Sequence, residues 1–311
     1  VAAPNGIVTH RFQSMKGHCM SVLSPLRPIL LAAIVAGASA AFGADAEPAP
    51  AKPATPASSF EISDRLFLAF AQDAALVKSQ WWEGQLEYSD ASKGIPVSAW
   101  IMRGVVAFRP VKTFEVGGSF GFGNTSASYN SASNNNDGTG ATDLEAYGKW
   151  VFPNVSANTD LSAGLIITIP TGDDTVGLGF NSFASQVFGS VRHKLNKSVV
   201  FGGHIGLGLN SDGKFQGYDL DGQFSYEMGF SALFPLANQV SLVAEAQVQT
   251  ARFDNNNPGP NNLIGAETAT QILGGINWRA FGRGMLRGAV AFGLTEGAPD
   301  FRTLVSYAYT F

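Results

Sequence analysis

The sequence predicts an all-β fold, a transmembrane antiparallel up-and-down β-barrel of about 12 strands with a short N-terminal helix or linker. Three observations support this prediction. Only 14% of the 311 residues are charged, whereas 45% are hydrophobic; soluble domains usually carry about 25% charge. From Trp81 to Phe311, polar and apolar residues alternate in segment after segment. The connections between these segments are short and long in turn. A closed barrel lets such strands face lipid with their backbone groups paired.

Residues 1–43 are predicted to be an upstream extension and a signal peptide. Lys16 and Arg27 precede an apolar run, 29–36, and small residues follow it, which is the usual order of a secretory signal. The apolar run is too short to cross a bilayer as a helix. Cleavage is expected after one of three small residues, Ala40, Gly43 or Ala44. The single cysteine, Cys19, would leave with this segment.

Residues 44–80 are predicted to be a tether followed by a short helix. Residues 45–57 consist largely of proline and alanine, a composition typical of linkers. Beyond them, apolar residues recur at helical spacing, at Ile62, Leu66, Phe67, Phe70 and Ala74. Three placements stay open for this second part: a plug in the lumen, a foot in the periplasm, or an extra strand.

The barrel itself is predicted to occupy residues 81–311. Alternation with a period of two is clearest in residues 219–234, where apolar and polar side chains fall on opposite parities. The predicted strands are 81–89, 98–109, 113–124, 141–152, 159–169, 183–194, 198–209, 218–234, 239–252, 266–279, 283–294 and 301–311. Connections after the even strands are short, as at 110–112, and those after odd strands are mostly longer, as at 125–140, which is typical of outer-membrane barrels.

Aromatic residues cluster at the short-turn ends of the strands, all on the apolar parity. They are Trp82, Phe108, Phe114, Trp150, Phe152, Phe234, Trp278 and Phe311. This placement predicts one half of an aromatic girdle at a membrane surface. The last strand ends in alternating aromatics, Tyr307, Tyr309 and Phe311, and resembles the C-terminal signal that the bacterial barrel assembly machinery recognises.

Charged residues on the polar parity are predicted to line the lumen. The basic ones are Arg103, Arg109, Arg192, Arg279, Arg283, Arg287 and Arg302, and the acidic ones are Glu83, Glu87, Glu115, Glu145, Asp221, Glu227 and Glu245. Opposed charge across a pore produces a transverse field that orients dipolar or carboxylate-bearing solutes. The alternative is that these groups pair with one another and fill a narrow bore.

Catalytic, metal-binding and nucleic-acid-binding functions find little support. Without the predicted signal peptide, the chain has no cysteine and only two histidines, His193 and His204. No nucleophile-elbow motif occurs, and we expect no enzyme activity, metal or cofactor. The net charge of −4 offers no basic surface for nucleic acid.

Three motifs, in order, resemble the outer-membrane family named for the MetA pathway of phenol degradation. They are residues 142–152, residues 161–173, and residues 298–302 before the aromatic terminus. The resemblance implies a transporter barrel suspected of admitting aromatic compounds, and it brings no binding residue to carry over.

Taken together, these features predict a passive channel, porin-like, in the outer membrane of a Gram-negative bacterium. Its expected partners are membrane lipid, the barrel assembly machinery and a small solute, with hydrophobic and aromatic solutes among the candidates. Two rival functions stay open. One is a structural or adhesive barrel with a filled lumen, and the other is an outer-membrane hydrolase. The sequence does not determine the substrate or the oligomeric state.

Overall fold

The computed structural model describes residues 65–68, 71–92, 97–127, 137–195, 199–237, 239–254, 267–281 and 284–311. All of them belong to one compact unit, Pro56–Phe311. The predicted signal peptide, the tether, the asparagine-rich loop 130–136 and Arg283 lie outside the described residues.

Twelve antiparallel strands close into a barrel, so the predicted fold class is confirmed. They are β1 (Gln80–Ala91), β2 (Val97–Val111), β3 (Phe114–Ala127), β5 (Leu144–Ser156), β6 (Thr159–Ile169), β7 (Ala184–Lys194), β8 (Val200–Asn210), β11 (Phe224–Ala237), β12 (Val240–Gln249), β14 (Ala269–Phe281), β15 (Gly284–Gly293) and β16 (Phe301–Thr310). Each pairs with its sequence neighbours in this set, and β1 closes the ring by pairing with β16 from Trp81↔Thr310 to Asp90↔Phe301. All backbone edges of the wall are thereby paired, as a lipid environment requires.

Four shorter strands lie at the end of the barrel that carries the longer loops. β4 (Gly138–Ala141) extends the pairing of β3, while β9 (Gly213–Phe215), β10 (Tyr218–Gly222) and β13 (Phe253–Asp254) form a separate small sheet. The predicted strand 218–234 is therefore two strands. Asp221 is exposed in the small sheet, opposite Asp254, and its predicted place in the lumen wall is corrected. The chain departs from the wall at Gln223, whose backbone N–H donates to the carbonyl of Arg252.

The period-two pattern sorts side chains onto the two faces of the wall. Seven of the eight predicted girdle aromatics are 36–56% exposed on the outer face at the short-turn end. The eighth, Phe114, is half-buried against Trp150, with ring centroids 4.1 Å apart. Exposing large apolar side chains to water is costly. An outer surface that carries many of them is therefore expected where lipid covers the protein.

The predicted short helix is absent from the described residues of its segment. Residues 65–68 and 71–79 form turns and bends inside the barrel. Their backbone groups bond to the wall: the N–H groups of Phe67 and Leu68 donate to Glu245, and that of Val77 donates to Glu115. These groups are consequently unavailable for the i→i−4 bonds of a helix. Among the described residues, no helix has the length and apolarity needed to cross a membrane.

Candidate functional site: the barrel lumen

Residues 65–68 and 71–79, here called the inner segment, occupy the half of the lumen nearest the short turns. We call that half the turn-side half and the other the loop-side half. The inner segment rises from Arg65 to the level of Glu245 on β12 and returns to Ser79, which precedes β1. Arg65, Asp73 and Val77 are each 3% exposed or less, so the segment is enclosed by the wall. It seals this half of the bore.

Glu115 on β3 is the principal anchor of the inner segment. Its carboxylate accepts a bond from Arg65 Nη2 at 2.6 Å and another from the backbone N–H of Val77 at 2.6 Å. Two wall residues complete its shell: Lys149 Nζ lies 3.3 Å away, and the Tyr147 hydroxyl donates at 2.8 Å. A buried carboxylate with this many donors is compensated for the loss of its hydration.

Lys149 also holds the backbone of the inner segment directly. Its ammonium group donates to the carbonyls of Asp73, at 2.7 Å, and Ala75, at 2.8 Å. Lys149 is fully buried, so it exchanges its hydration for these contacts and for Glu115. One lysine of β5 thus holds two backbone carbonyls of the inner segment.

Asp73 provides the second charged anchor. Both of its oxygens accept bonds from Arg192 Nη1 on β7, at 2.8 and 2.9 Å. Burial acts to raise the pKa of the Asp73 carboxyl, but the cations Arg192, Lys149 and Arg65 outweigh burial and hold this pKa below its ordinary value. Asp73 is therefore ionised at neutral pH.

Arg287 on β15 joins the wall to the start of the inner segment. Its Nη1 contacts both oxygens of Glu83, at 3.0 and 2.9 Å, and its Nη2 donates to the carbonyls of Arg65 and Leu66, both at 2.9 Å. Its guanidinium carbon lies 4.1 Å from the centre of the Phe67 ring. Arg287 is therefore committed to the seal and is not available to a solute.

Above the inner segment lies a cavity of about 330 Å³, here called the chamber. Six glutamines line it, Gln72 from the inner segment and Gln85, Gln186, Gln247, Gln249 and Gln271 from the wall. Glu227 on β11 gathers several of them: it accepts bonds from Gln72, Gln186 and Gln247, and it pairs with His204 Nε2 at 2.9 Å. The chamber is a polar space walled by amides.

A second cavity of about 290 Å³, the vestibule, lies at the loop-side end. The loop after β6 forms one side of it and is held by Asp143, whose carboxylate accepts the N–H groups of Gly172, at 2.9 Å, and Phe180, at 3.1 Å. The loop approaches so closely that a Cβ on Gly179 would lie 2.8 Å from the Asp143 carboxylate and 2.7 Å from the Gly172 backbone. Glycine is required there.

The two cavities share part of their lining. Arg103, Ser119, Glu145, Thr168 and Arg252 contribute to both. The chamber and the vestibule therefore meet at this ring of residues, here called the junction. A solute entering from the loop end would pass from the vestibule through the junction to the chamber and would there meet the inner segment.

The structure places the other predicted lumen residues as follows. Glu83, Glu87, Glu115, Arg192, Glu227, Glu245 and Arg287 are buried inside; Arg103, Arg109, Arg279 and Arg302 are partly exposed on the inward parity; and Glu145 is exposed at the junction. Glu87 pairs with Arg302 at 2.8 Å and lies 3.9 Å from Arg103. Pairing of these groups with one another, the alternative weighed from sequence, thus occurs for Glu87 and for Glu83 with Arg287, between strands on the same side of the wall. Glu115 and Arg192 pair with the inner segment instead.

Four central charged residues were missed from sequence: Arg65, Asp73, Lys149 and Arg252. Lys149 shares the parity of Glu145, so the alternation could have found it. Arg65 and Asp73 belong to a segment whose spacing suggested a helix. Arg252 falls on the lipid-facing parity of the predicted strand 239–252, but β12 ends at Gln249, and the departure of the chain from the wall turns Arg252 inward.

The described residues contain no group of three or more His, Cys, Asp or Glu that could hold a metal ion. No family model and no curated protein matches the sequence. The resemblance to the family named for the MetA pathway accordingly stays a prediction.

Solved structures with a similar fold are outer-membrane barrels. An outer membrane channel from Pseudomonas putida F1 superposes with a TM-score of 0.62 at 16% identity, over 77% of this chain and 98% of that one. The NanC porin superposes with a TM-score of 0.50 at 8% identity, over 74% of this chain and 100% of that one. At such identities the likeness establishes a shared barrel fold.

Proposed function

We propose that this protein is a passive channel for small solutes in the outer membrane of a Gram-negative bacterium, and that it opens when the inner segment leaves the lumen. The observation that carries this proposal is the origin of the group that blocks the bore. It is the inner segment, which precedes the barrel strands and lies directly beneath a solute-sized cavity, the chamber. A barrel built only for rigidity could fill its bore with wall side chains, as eight-stranded barrels do.

The outer surface supports the membrane location. Exposed aromatics at the short-turn end suit the periplasmic interface, with lipid as the surrounding partner. We propose that Tyr307, Tyr309 and Phe311 serve as the signal for the assembly machinery. Phe311 packs edge-on against Trp82, with ring centroids 6.1 Å apart. Hydrophobic and aromatic solutes remain candidates for passage, and we propose no enzyme activity.

A structural barrel with a filled lumen is the second candidate function. It is favoured by the buried pairs Arg65–Glu115, Arg192–Asp73 and Arg287–Glu83, which resemble permanent packing. The two functions differ in one respect. A channel tolerates loss of the inner segment because water can hydrate the charges left on the wall, whereas a filled barrel depends on that segment for stability.

The test is removal of residues 65–78, followed by conductance in planar bilayers and swelling of solute-loaded liposomes. For a channel, the shortened protein should stay heat-modifiable on gels and conduct far more than the full chain. A shortened barrel that folds and still conducts no ions would overturn the proposal. Failure of the shortened barrel to fold, with a full chain that never conducts, would favour the filled structural barrel.

Labelling supplies a check on the full chain. In a Cys19→Ser background, Val77→Cys places a thiol at a position that is fully buried in the sealed state. Reaction with a water-soluble thiol reagent on the timescale of conductance openings would support movement of the inner segment. Glu145→Cys, at the junction on the wall, is the control and should react even when the barrel is closed, because Glu145 is exposed.

A further inference from the structure

Arg252 differs from the other central arginines because its guanidinium makes no hydrogen bond or ion pair within the described residues. Its Nε is shielded and has no acceptor. Arg287 and Arg192, by contrast, each contact a carboxylate at 2.8–3.0 Å. Arg252 lines both the vestibule and the junction, so its donors face the path of a solute. Arg252 is half-buried, and a partly desolvated cation whose donors lack acceptors gains by binding an anion.

The backbone around Arg252 is held firmly. Gln223 donates its backbone N–H to the carbonyl of Arg252 at 3.0 Å. The side-chain amide of Gln223 donates to the carbonyls on either side, Ala251 at 3.2 Å and Phe253 at 3.1 Å. Three successive carbonyls are thus fixed by one glutamine. The side chain of Arg252 is consequently carried on a preorganised support.

Two aromatic rings orient the guanidinium. Its carbon lies 4.6 Å from the centre of the Phe180 ring and 5.7 Å from that of Phe253, and these two rings stack with centroids 5.2 Å apart. A guanidinium lying over a ring keeps the N–H groups at its edge available, because they point in its plane. That edge matches the two oxygens of a carboxylate.

The acidic groups near Arg252 are already engaged. Asp143 accepts the N–H groups of Gly172 and Phe180, Glu145 accepts the Ser119 hydroxyl at 3.0 Å, and Glu227 accepts the glutamines of the chamber. Burial lowers the pKa of Arg252, and these carboxylates offset part of that effect. The guanidinium stays protonated, as arginine does in proteins.

One part of the vestibule wall is apolar, while Arg103, Asp143, Glu145 and several hydroxyl groups line the remainder. Val97, Ala99 and Ile101 line the apolar part from β2, Leu178 and Phe180 from the loop after β6, and Phe215 from β9. An apolar wall of this kind suits a hydrocarbon body rather than a sugar. The vestibule thus combines the guanidinium of Arg252, which has no hydrogen-bonded partner among the described residues, with an apolar part of the wall in a cavity of about 290 Å³.

We infer that the vestibule is a binding site for small organic monocarboxylates, with the carboxylate on the guanidinium of Arg252 and the hydrocarbon body against Leu178 and Phe215. The inference rests on the proposed channel function for its biological meaning, since the site lies on the entry path. The proposed ligands share one carboxylate and one hydrocarbon body, and experiment decides whether that body is aliphatic or aromatic.

Binding is tested on the purified full-length barrel in detergent micelles by calorimetric titration with hexanoate, benzoate, hexanamide and hexylamine. One charge-assisted bidentate contact predicts that hexanoate binds about tenfold or more tightly than hexanamide. Arg252→Gln should remove that preference and leave hexanamide affinity within about twofold. Arg252→Lys keeps the charge without the planar fork and should restore part of the preference.

Lys214→Gln is the matched control, because it removes a cation from an exposed position at the same end of the barrel. It should leave all affinities unchanged. Equal binding of hexanoate and hexanamide by the wild type would overturn the inference without any variant, and tightest binding of hexylamine would do the same. If the barrel binds carboxylates but never conducts, the proposed channel function is wrong and the binding site stands. If it conducts but shows no preference for carboxylates, the binding site is wrong and the channel function stands.

Discussion

The two halves of the lumen are built from the same kind of wall but treat their charges differently. In the turn-side half, Arg65, Arg192 and Arg287 each meet a carboxylate within 3.0 Å and are 2% exposed or less. In the loop-side half, glutamines line the chamber, and the guanidinium of Arg252 has no hydrogen-bonded partner within the part of the chain that the structure describes. Paired buried charges fill space and are costly to break, whereas donors without partners beside a cavity are free to bind a ligand. The turn-side half is therefore the part that seals the lumen, and the loop-side half is the part proposed to recognise a ligand.

The largest expected effect comes from breaking the turn-side half at Arg287. Arg287→Met would leave the Glu83 carboxylate buried without its cation and two carbonyls of the inner segment without a donor. Loss of one partner of a buried pair costs about 3–5 kcal/mol. We expect that drop in the free energy of unfolding, measured by urea titration of the barrel in detergent. Arg109→Met removes the same charge from a partly exposed position on β2 and should cost far less. Equal losses of unfolding free energy in the two variants would show that the Arg287 contacts contribute no more to stability than a partly exposed charge does.

Acid should weaken the turn-side seal through Asp73. Its pKa is lowered in the folded state, so its contribution is complete above the unfolded value of about 3.9 and is lost as the pH falls through the lower folded value. We expect bilayer conductance of the full chain to rise below about pH 4. Asp73→Asn should conduct more at neutral pH and respond less to acid. Asp219→Asn, at an exposed site, should keep the wild-type profile. A flat profile for the wild type would contradict this role.

The loop-side half can be disturbed without touching the seal. Gly179→Ala would place a Cβ 2.7 Å from the Gly172 backbone and should cost about 1–3 kcal/mol of local packing. We expect faster hydrogen exchange in the loop after β6 and weaker hexanoate binding, with exchange in the inner segment unchanged. Gly84→Ala is the control, because nothing lies within 4 Å of its added Cβ. Faster exchange of both halves in Gly179→Ala would show that they are coupled.

The smallest effect on stability is expected outside the lumen, at the end of the chain. Phe311 packs against Trp82 and Tyr309, and such aromatic contacts are worth about 0.5–1.5 kcal/mol. Phe311→Ala should nevertheless lower the fraction of heat-modifiable barrel in cells, because it removes the proposed assembly signal. Phe230→Ala deletes an exposed ring from the middle of β11 and serves as the comparison. If both variants assemble equally, Phe311 is an ordinary strand end.

The sequence by itself determined the wall. Alternation with a period of two is a local property, so it located twelve strands and sorted residues such as Glu83 and Trp82 to opposite faces. It also placed Arg287 and Glu83 on the inward parity, because parity along one strand needs no knowledge of the others. Parity failed where the chain leaves a strand of the wall. It placed Asp221 in the lumen, although Asp221 lies in the small sheet beyond Gln223. It also assigned Arg252 to the outer face, although Arg252 lines the cavities.

Only the tertiary structure decided what fills the bore. In the described residues of the inner segment, the helical spacing was overridden because three wall residues bond to its backbone. These are Glu115, Lys149 and Glu245, which lie far away in the sequence. The contact between Arg65 and Arg287 spans 222 residues. Contacts over such separations depend on how the barrel closes, which no local pattern encodes. The same reason explains why Arg192 was found as a lumen charge while its partner Asp73 was not.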